Sequence, residues 1–319
     1  MEPFDLIIIG GGPTGLNCAI AARTRGLRYL VLEKGVLVNS VFRFPTNMTF
    51  FSTSDKLEIG EVPFIAHGDK PTRREALEYY RRIVEAYDLR IKLYEEVLRM
   101  EALPRQEGYV VHSRRQAYRC RAVIVATGFY DCPRLLGVPG EDLPKVKHFY
   151  DEAHPYVGQK VLVVGAANSA CDVALETYYK GAEVTMAVRE DELYQNVKYW
   201  IKPNIENRIK EGSISAFFHS TVREIGPYTV VLNTPDGPLT LENDFVLAMT
   251  GYQPNYDLLA RLGLPLSDDE ARFPLHDPDT LETPLPNVYV AGVVVAGLET
   301  SKLFIENTRH HGELIVGQL

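Results

Sequence analysis

The opening segment constrains the chain more than any other feature. Asp5–Ile9 is a short apolar run suited to a buried parallel strand. Gly10-Gly11-Gly12-Pro13-Thr14-Gly15 follows and contains G-x-G-x-x-G. Leu16–Arg25, rich in Ala and Leu, reads as a helix that stops at Gly26. A second strand, Tyr29–Leu32, ends on Glu33. Strand, glycine loop, helix, strand and acid in register make a dinucleotide-binding unit. Gly10 allows the tight turn, Gly12 lets the backbone approach a pyrophosphate, and Gly15 lets the helix pack closely on the strand. The helix N-terminus offers N–H groups and partial positive charge to phosphates. Glu33 is placed to accept hydrogen bonds from ribose hydroxyls.

The unit occurs twice. Val161–Val164 reads as a strand, followed by Gly165-Ala166-Ala167-Asn168-Ser169-Ala170, a helix to about Lys180, Gly181, and a strand Val184–Val188. Gly10 to Glu33 and Gly165 to Val188 are both 23 positions, so the copies align without a gap. The acid of the first copy becomes Val188, and Arg189 follows it. A missing carboxylate beside an Arg suits the 2′-phosphate of NADP, at about 1.5–3 kcal/mol for a charge-assisted contact. Glu190 and Asp191 oppose a phosphate, and Ala167 adds a methyl where the first copy has its second loop glycine. Each copy closes on an apolar strand ending in Thr-Gly, Val123–Gly128 and Val246–Gly251. The first copy is longer, which fits an insertion between Gly35 and a helix at Thr72–Tyr87. Two nucleotide modules imply two nucleotides, and the economical pair is FAD and a nicotinamide exchanging hydride.

Composition narrows the class. A chain of 319 residues suggests about two domains. A net charge of −8 lacks the basic excess of a nucleic-acid binder. The four cysteines, Cys18, Cys120, Cys132 and Cys171, show no C-x-x-C spacing, which excludes a disulfide framework and a zinc knuckle and points to a reducing compartment. The start, Met1-Glu2-Pro3-Phe4-Asp5, has no basic leader, and the longest apolar stretch, Val288–Leu298, is too short to span a membrane. The expectation is a cytoplasmic protein with no membrane or nucleic-acid partner. No His, Cys and acid set shows ligand spacing, so no metal is expected.

The arrangement resembles the flavoprotein pyridine nucleotide-disulfide oxidoreductases of thioredoxin reductase size. Thr283-Pro284-Leu285-Pro286-Asn287-Val288-Tyr289-Val290-Ala291-Gly292 is similar to their final FAD motif. The resemblance implies an α/β fold of two Rossmann-like three-layer domains, the second inserted in the first. FAD binding then falls on 1–131 and 250–319, and NADPH binding on 132–249. A closer resemblance is to the bacillithiol disulfide reductase family (YpdA-type). It rests on Phe50-Phe51-Ser52-Thr53-Ser54, Leu57-Glu58-Ile59-Gly60, Lys198-Tyr199-Trp200-Ile201-Lys202-Pro203, Ala126-Thr127-Gly128-Phe129-Tyr130-Asp131, His154-Pro155-Tyr156 and Phe304-Ile305-Glu306-Asn307. It implies FAD at Gly10, Gly12, Pro13, Thr14, Gly15, Glu33, Lys34, Ser40, Thr46, Phe51, Val97, Ala126, Thr127, Gly128, Gly292 and Val293. It implies NADPH at Gly165, Ala167, Asn168, Ser169, Ala170, Arg189, Lys198, Thr250 and Gly251. It also implies a homodimer that reduces a small thiol disulfide.

Three departures bear on the chemistry. Thioredoxin reductases carry C-x-x-C before the second glycine loop, where this chain has His148-Phe149-Tyr150-Asp151-Glu152-Ala153-His154. Bacillithiol-type enzymes commonly carry Cys in the first glycine loop, where this chain has Thr14, and a hydroxyl cannot form a mixed disulfide. The ribitol-binding Asp after the last Ala-Gly is Val293.

Cys132, at the end of the Thr-Gly strand, is the cysteine placed to meet substrate, and the other three read as packing residues. His148 and His154 are candidate proton donors to a leaving thiolate, while His310 and His311 read as the end of the C-terminal helix. Lys198 and Lys202 suit the 2′-phosphate, an anionic disulfide or a solvated helix face. Phe42, Phe44, Phe50 and Phe51 read as a cluster beside the flavin. Alternatives are a ferredoxin or flavodoxin NADP reductase and a non-catalytic NADPH sensor. A flavin monooxygenase needs Phe and Gly where the chain has Asp142 and Pro144.

Overall fold

A strand turns alternate side chains to opposite faces, so an unbroken apolar strand must be covered on both. The computed structural model describes residues 3–104 and 107–319. The Met1-Glu2 start, read above for a leader, lies outside them. Phe4–Ile9 (β1) carries Leu6 and Ile8 into one core and Ile7 and Ile9 into another. It pairs in parallel with Tyr29–Leu32 (β2), Leu6 opposite Tyr29, and with Ala117–Val125, Leu6 opposite Ala122. The long strand Ala117–Val125 then divides its other edge. Its first half pairs antiparallel with Tyr109–Ser113, and its second half pairs in parallel with Val288–Val290. The C-terminal segment thus completes the sheet that the N-terminus began.

Pro13–Thr24 (α1) connects β1 to β2. It starts earlier than the composition suggests because Pro13 occupies the first helical turn, where its missing N–H costs nothing. Thr14 to Ala22 are all buried. The final helix, His311–Val316, lies against α1, and the Gly312 N–H donates to Asn17 Oδ1 at 3.0 Å. The expected Thr72–Tyr87 helix is Arg73–Ala86, with Thr72 and Glu75 forming a reciprocal capping box.

In the other unit, Lys160–Val164 is the centre of a five-stranded, all-parallel sheet. The order is Ser215–Phe217, Glu183–Ala187, Lys160–Val164, Phe245–Ala248, Val146–Lys147. Val161 and Val163 pack under the helix Asn168–Tyr179 with Ala170, Val173 and Ala174. Leu162 and Val164 face Val222, Ile225, Val230 and Leu232 of a three-stranded antiparallel sheet, Thr221–Ile225, Thr229–Thr234 and Gly237–Glu242. Pro235 and Asp236 make the tight turn of its hairpin. The fold class is α/β with two parallel sheets, consistent with two nucleotide-binding domains. The chain divides into Met1–Cys132 with Tyr252–Leu319, and Pro133–Gly251.

Three expectations are corrected. The closing strands stop at Val125 and Ala248, short of their Thr-Gly ends, and Gly128 (φ +67°) and Gly251 (φ +89°) beyond them take left-handed backbone. The tail holds two short helices, Ile305–Thr308 and His311–Val316, so His310 and His311 open the last helix rather than end it. Phe44 and Phe50 meet edge to face, but Phe42 and Phe51 are about half exposed, so the four do not make one buried cluster.

Ile124 is fully buried between the sheet and α1, opposite Tyr289 of the returning strand. Ile124→Ala is expected to cost about 2–5 kcal/mol. Thermal denaturation should show the first unit melting earlier while the second is unchanged.

Candidate functional site

The three loop glycines are glycine for different reasons. Gly10 has φ +110°, and a Cβ there would fall on the Ala126 carbonyl oxygen. A Cβ on Gly15 would fall on the Gly10 carbonyl oxygen. Both are dictated by the protein's own packing. Gly12 is not: its φ of −76° and ψ of 178° suit any residue, and a Cβ there meets nothing within 4 Å. The open space in front of Gly12 fits a pyrophosphate. Gly12 is also the N-cap of α1, and no side chain caps the helix. Its first N–H groups therefore face that space as donors.

Glu33 is buried, with Oε2 accepting from the Gly11 N–H at 2.7 Å and Oε1 from the Gly35 N–H at 2.9 Å. Burial pushes its carboxyl above the usual range, and the two N–H groups pull it back. Each oxygen keeps a lone pair for a ribose hydroxyl. Thr127 stands beside Gly10, and its buried Oγ1 has no hydrogen-bond partner among the described residues. An orphaned buried hydroxyl costs about 1–3 kcal/mol, which a bound ligand relieves. These features fit a dinucleotide.

The other end of the site comes from the tail. Gly292 (φ +79°) presses on Thr14, whose Oγ1 would lie 3.0 Å from a Cβ at 292. Thr14 Oγ1 is 3.2 Å from Thr308 Oγ1. Thr308 gives its only hydroxyl proton to the Phe304 carbonyl at 2.8 Å, so Thr14 is the donor of the pair. His311 Nδ1 accepts the Gly292 N–H at 3.1 Å. Burial, then the neighbouring His276 and His310, push the His311 pKa down to about 4. The ring is therefore neutral at pH 7, and Nε2 carries its proton. Val293 Cγ2 lies 3.8 Å from where a Gly128 Cβ would be. Thr14, Gly128, Gly292 and Val293 thus converge. Sequence reading missed Thr308 and His311. The available signal was Gly312, where a Cβ would strike Asn17.

Other candidates stand apart. Lys34 is paired with Asp131 at 2.8 Å. Ser40 lies in the turn Asn39–Phe42, and Thr46 and Phe51 are exposed. Val97 is buried two residues beyond Glu95, whose N–H bonds the Glu33 carbonyl. Burial raises the thiol pKa of all four cysteines, to about 12 for Cys120 and Cys171. Cys132 is half-buried, and its raised pKa leaves little thiolate at pH 7. No two cysteines are bonded. His148 is mostly buried, 3.4 Å from a Glu141 carboxylate that also takes the Leu136 and Gly137 N–H groups. His154 is exposed at the start of a single helical turn, His154–Tyr156.

In the second unit Gly165 (φ +132°) repeats the part of Gly10, with the Met249 carbonyl oxygen 2.6 Å from a would-be Cβ. Ala170 sits against it in place of the third glycine. Ala167 caps the helix without a side-chain bond, and it and Ser169 are exposed. Asn168 Oδ1 accepts the Lys198 N–H at 2.8 Å, and Lys198 Nζ is committed to Asp172 at 2.7 Å. Arg189 is exposed, its guanidinium on Glu190 at 2.7 Å. Thr250 and Gly251 fasten Arg134, through Thr250 Oγ1 to its carbonyl and the Gly251 carbonyl to its N–H. Among the described residues, no group of three His, Cys, Asp or Glu could hold a metal ion, and no helix is long and apolar enough to cross a membrane.

Two sheets built on parallel strands, each presenting a glycine loop at a helix N-terminus, are the arrangement of a protein with two nucleotide-binding domains. The family model for pyridine nucleotide-disulphide oxidoreductases matches residues 7–292. Bacilliredoxin reductase Bdr of Bacillus subtilis is 42% identical over 98% of this chain and 96% of its own. The bacillithiol disulfide reductase Bdr (YpdA) of Staphylococcus aureus superposes with a TM-score of 0.96 at 40% identity, covering 100% of this chain and 98% of that one. Lactococcus lactis thioredoxin reductase shares the fold, with a TM-score of 0.78 at 20% identity over 99% of this chain and 97% of that one. The chain belongs to the bacillithiol disulfide reductase (Bdr, YpdA) family of pyridine nucleotide-disulphide oxidoreductases.

Gly12→Val is expected to leave the fold intact, because nothing in the protein opposes its side chain, yet to abolish flavin retention. Gly15→Val should prevent folding. Circular dichroism and the flavin absorbance of the purified variants separate the two outcomes.

Proposed function

We propose that the protein uses NADPH and FAD to reduce a low-molecular-weight thiol disulfide of the bacillithiol disulfide type, with no thiol of its own in the cycle. The observation that carries this reading is Thr14. It occupies the first glycine loop, its hydroxyl proton is engaged by Thr308, and a hydroxyl forms no mixed disulfide. The full-length similarity to bacillithiol disulfide reductases supports the acceptor class.

FAD is assigned to Gly10–Gly15, Glu33, Lys34, Ser40, Thr46, Phe51, Val97, Ala126–Gly128 and Gly292–Val293. Bound flavin supplies the two-electron relay between a nicotinamide and a disulfide. Gly12 and the α1 N-terminus receive the pyrophosphate, Glu33 the ribose, and Thr127 gives its orphaned hydroxyl. NADPH is assigned to the Gly165–Ala170 loop, Arg189, Lys198, Thr250 and Gly251. Val188 leaves no carboxylate to repel a 2′-phosphate, and Arg189 answers it once turned from Glu190. Lys198, held by Asp172, keeps the following segment on the loop rather than supplying the phosphate contact. The overall reaction consumes NADPH, the disulfide and one proton, breaks the S–S bond, and yields NADP⁺ and two thiols. His154, exposed, is the preferred proton donor to the leaving thiolate, ahead of His148 on Glu141. The protein is read as a cytoplasmic homodimer. A second reading, a ferredoxin or flavodoxin NADP reductase, needs no thiol at all, and the unbonded cysteines favour it equally.

Bacillithiol disulfide should drive steady NADPH oxidation that survives both Cys132→Ser and alkylation of the free thiols. Inert disulfides with rapid ferredoxin or flavodoxin reduction would replace this reading with the second. Arg189→Ala should raise the KM for NADPH roughly ten- to a hundredfold and leave that for NADH unchanged, in steady-state kinetics with either nucleotide.

A further inference from the structure

We infer that His311 is a positioning residue for the flavin, which it serves by holding the Gly292–Val293 turn over Thr14. The inference rests on the proposed placement of the flavin on the first glycine loop and this turn.

The backbone creates the need. The Ala291 N–H makes the last bond of the returning strand, to the Val125 carbonyl at 2.9 Å. The next donor, the Gly292 N–H, leaves the sheet while still buried, and a buried N–H without an acceptor is costly. His311 Nδ1 is its acceptor. A side chain at 292 would crowd Thr14, its Cβ only 3.0 Å from the Thr14 hydroxyl, so the turn lies directly over Thr14. The imidazole bond holds the turn in that place.

The imidazole is itself held from both sides. Thr308, three residues before it, meets Thr14 on α1. Gly312, one residue after it, donates to Asn17 on α1, and the Asn17 amide donates to Glu313 Oε1 at 3.0 Å. Positions 14 and 17 lie on one face of α1, so both tethers reach the same surface. The acceptor role requires an unprotonated Nδ1. Burial, with His276 and His310 as the titratable neighbours, keeps the ring neutral. Val293 brings no charge to this turn, so the field the turn presents comes from its backbone dipoles and the neutral ring. That field acts differently on oxidised and reduced flavin.

The test uses flavin-loaded protein. His311→Leu removes the acceptor, and His311→Asn keeps one, because Asn Oδ1 reaches about as far from Cα as His Nδ1. His311→Leu should change the ratio of oxidised to reduced flavin affinity by roughly tenfold, about 30 mV for a two-electron couple. It should also displace the visible absorbance bands. His311→Asn should restore both to within twofold of wild type. A His311→Leu protein with wild-type potential and spectrum overturns the inference. Should that variant fail to fold, ¹⁵N-histidine spectra of the wild type decide. A neutral Nε2–H ring whose Nδ1 resonance moves on flavin reduction is expected, and a protonated ring or an unmoved resonance overturns it. Full flavin retention by Gly12→Val would remove the placement and this inference with it. Loss of flavin there, with an unchanged His311→Leu potential, would remove the role of His311 alone.

Discussion

The pairing of Val288–Val290 with the upper half of Ala117–Val125 is the constraint on which the rest of the first unit depends. That strand edge is free only because the antiparallel partner, Tyr109–Ser113, stops at the lower half. The returning strand brings Gly292 onto Thr14 and lets the tail fold back over α1. Without it, α1 would expose an apolar outer face, and the loop end would lack Thr308 and His311. A site built from opposite ends of the chain is therefore brought together by three residue pairs in parallel register, and the Thr14–Thr308, His311–Gly292 and Asn17–Gly312 bonds then fasten it.

The two glycine loops use one backbone device for different chemistry. Gly10 and Gly165 both turn beneath the carbonyl that follows a central strand, Ala126 in one and Met249 in the other. In the first loop Glu33 reaches back to Gly11, so the acid that would hold a ribose also holds the loop. In the second the strand ends on Val188 instead of an acid, and Asn168, with the Lys198–Asp172 pair, does the holding. Replacing an anion by a neutral amide and a closed ion pair removes the carboxylate at the end of the second strand, while Glu190 and Asp191 remain beside Arg189. That difference is what the proposed placement of NADPH in the second site and FAD in the first rests on.

Thr14 changes the chemistry without changing the packing. A hydroxyl at this position takes a hydrogen-bond partner in Thr308 and fills the volume under Gly292. A thiol there would be a nucleophile, whereas a hydroxyl fixed as a donor is not. Burial holds all four thiols above ordinary thiol pKa values, which disfavours the thiolate form. The proposed thiol-free cycle follows from this: the cofactors would carry the redox steps, and the protein would contribute position and neutrality.

Much of this was legible in the sequence. Both nucleotide units, their glycines and the Glu33-to-Val188 exchange follow from local spacing, because strand, turn and helix are written in contiguous residues with fixed periods. The Arg73–Ala86 helix was legible from its cap. The partners were not: Asp131 for Lys34, Asp172 for Lys198, Glu141 for His148 and Thr308 for Thr14 lie 26 to 294 positions away or across a turn that carries no pattern of its own. His311 looked like the end of a helix and opens one instead. The sequence alone determined the modules and the loss of the loop thiol, since both are properties of neighbouring residues. Only the tertiary structure decided which hydroxyl Thr14 meets and which histidine serves the turn. Those depend on what stands within a few ångströms in space, and chain order does not encode it.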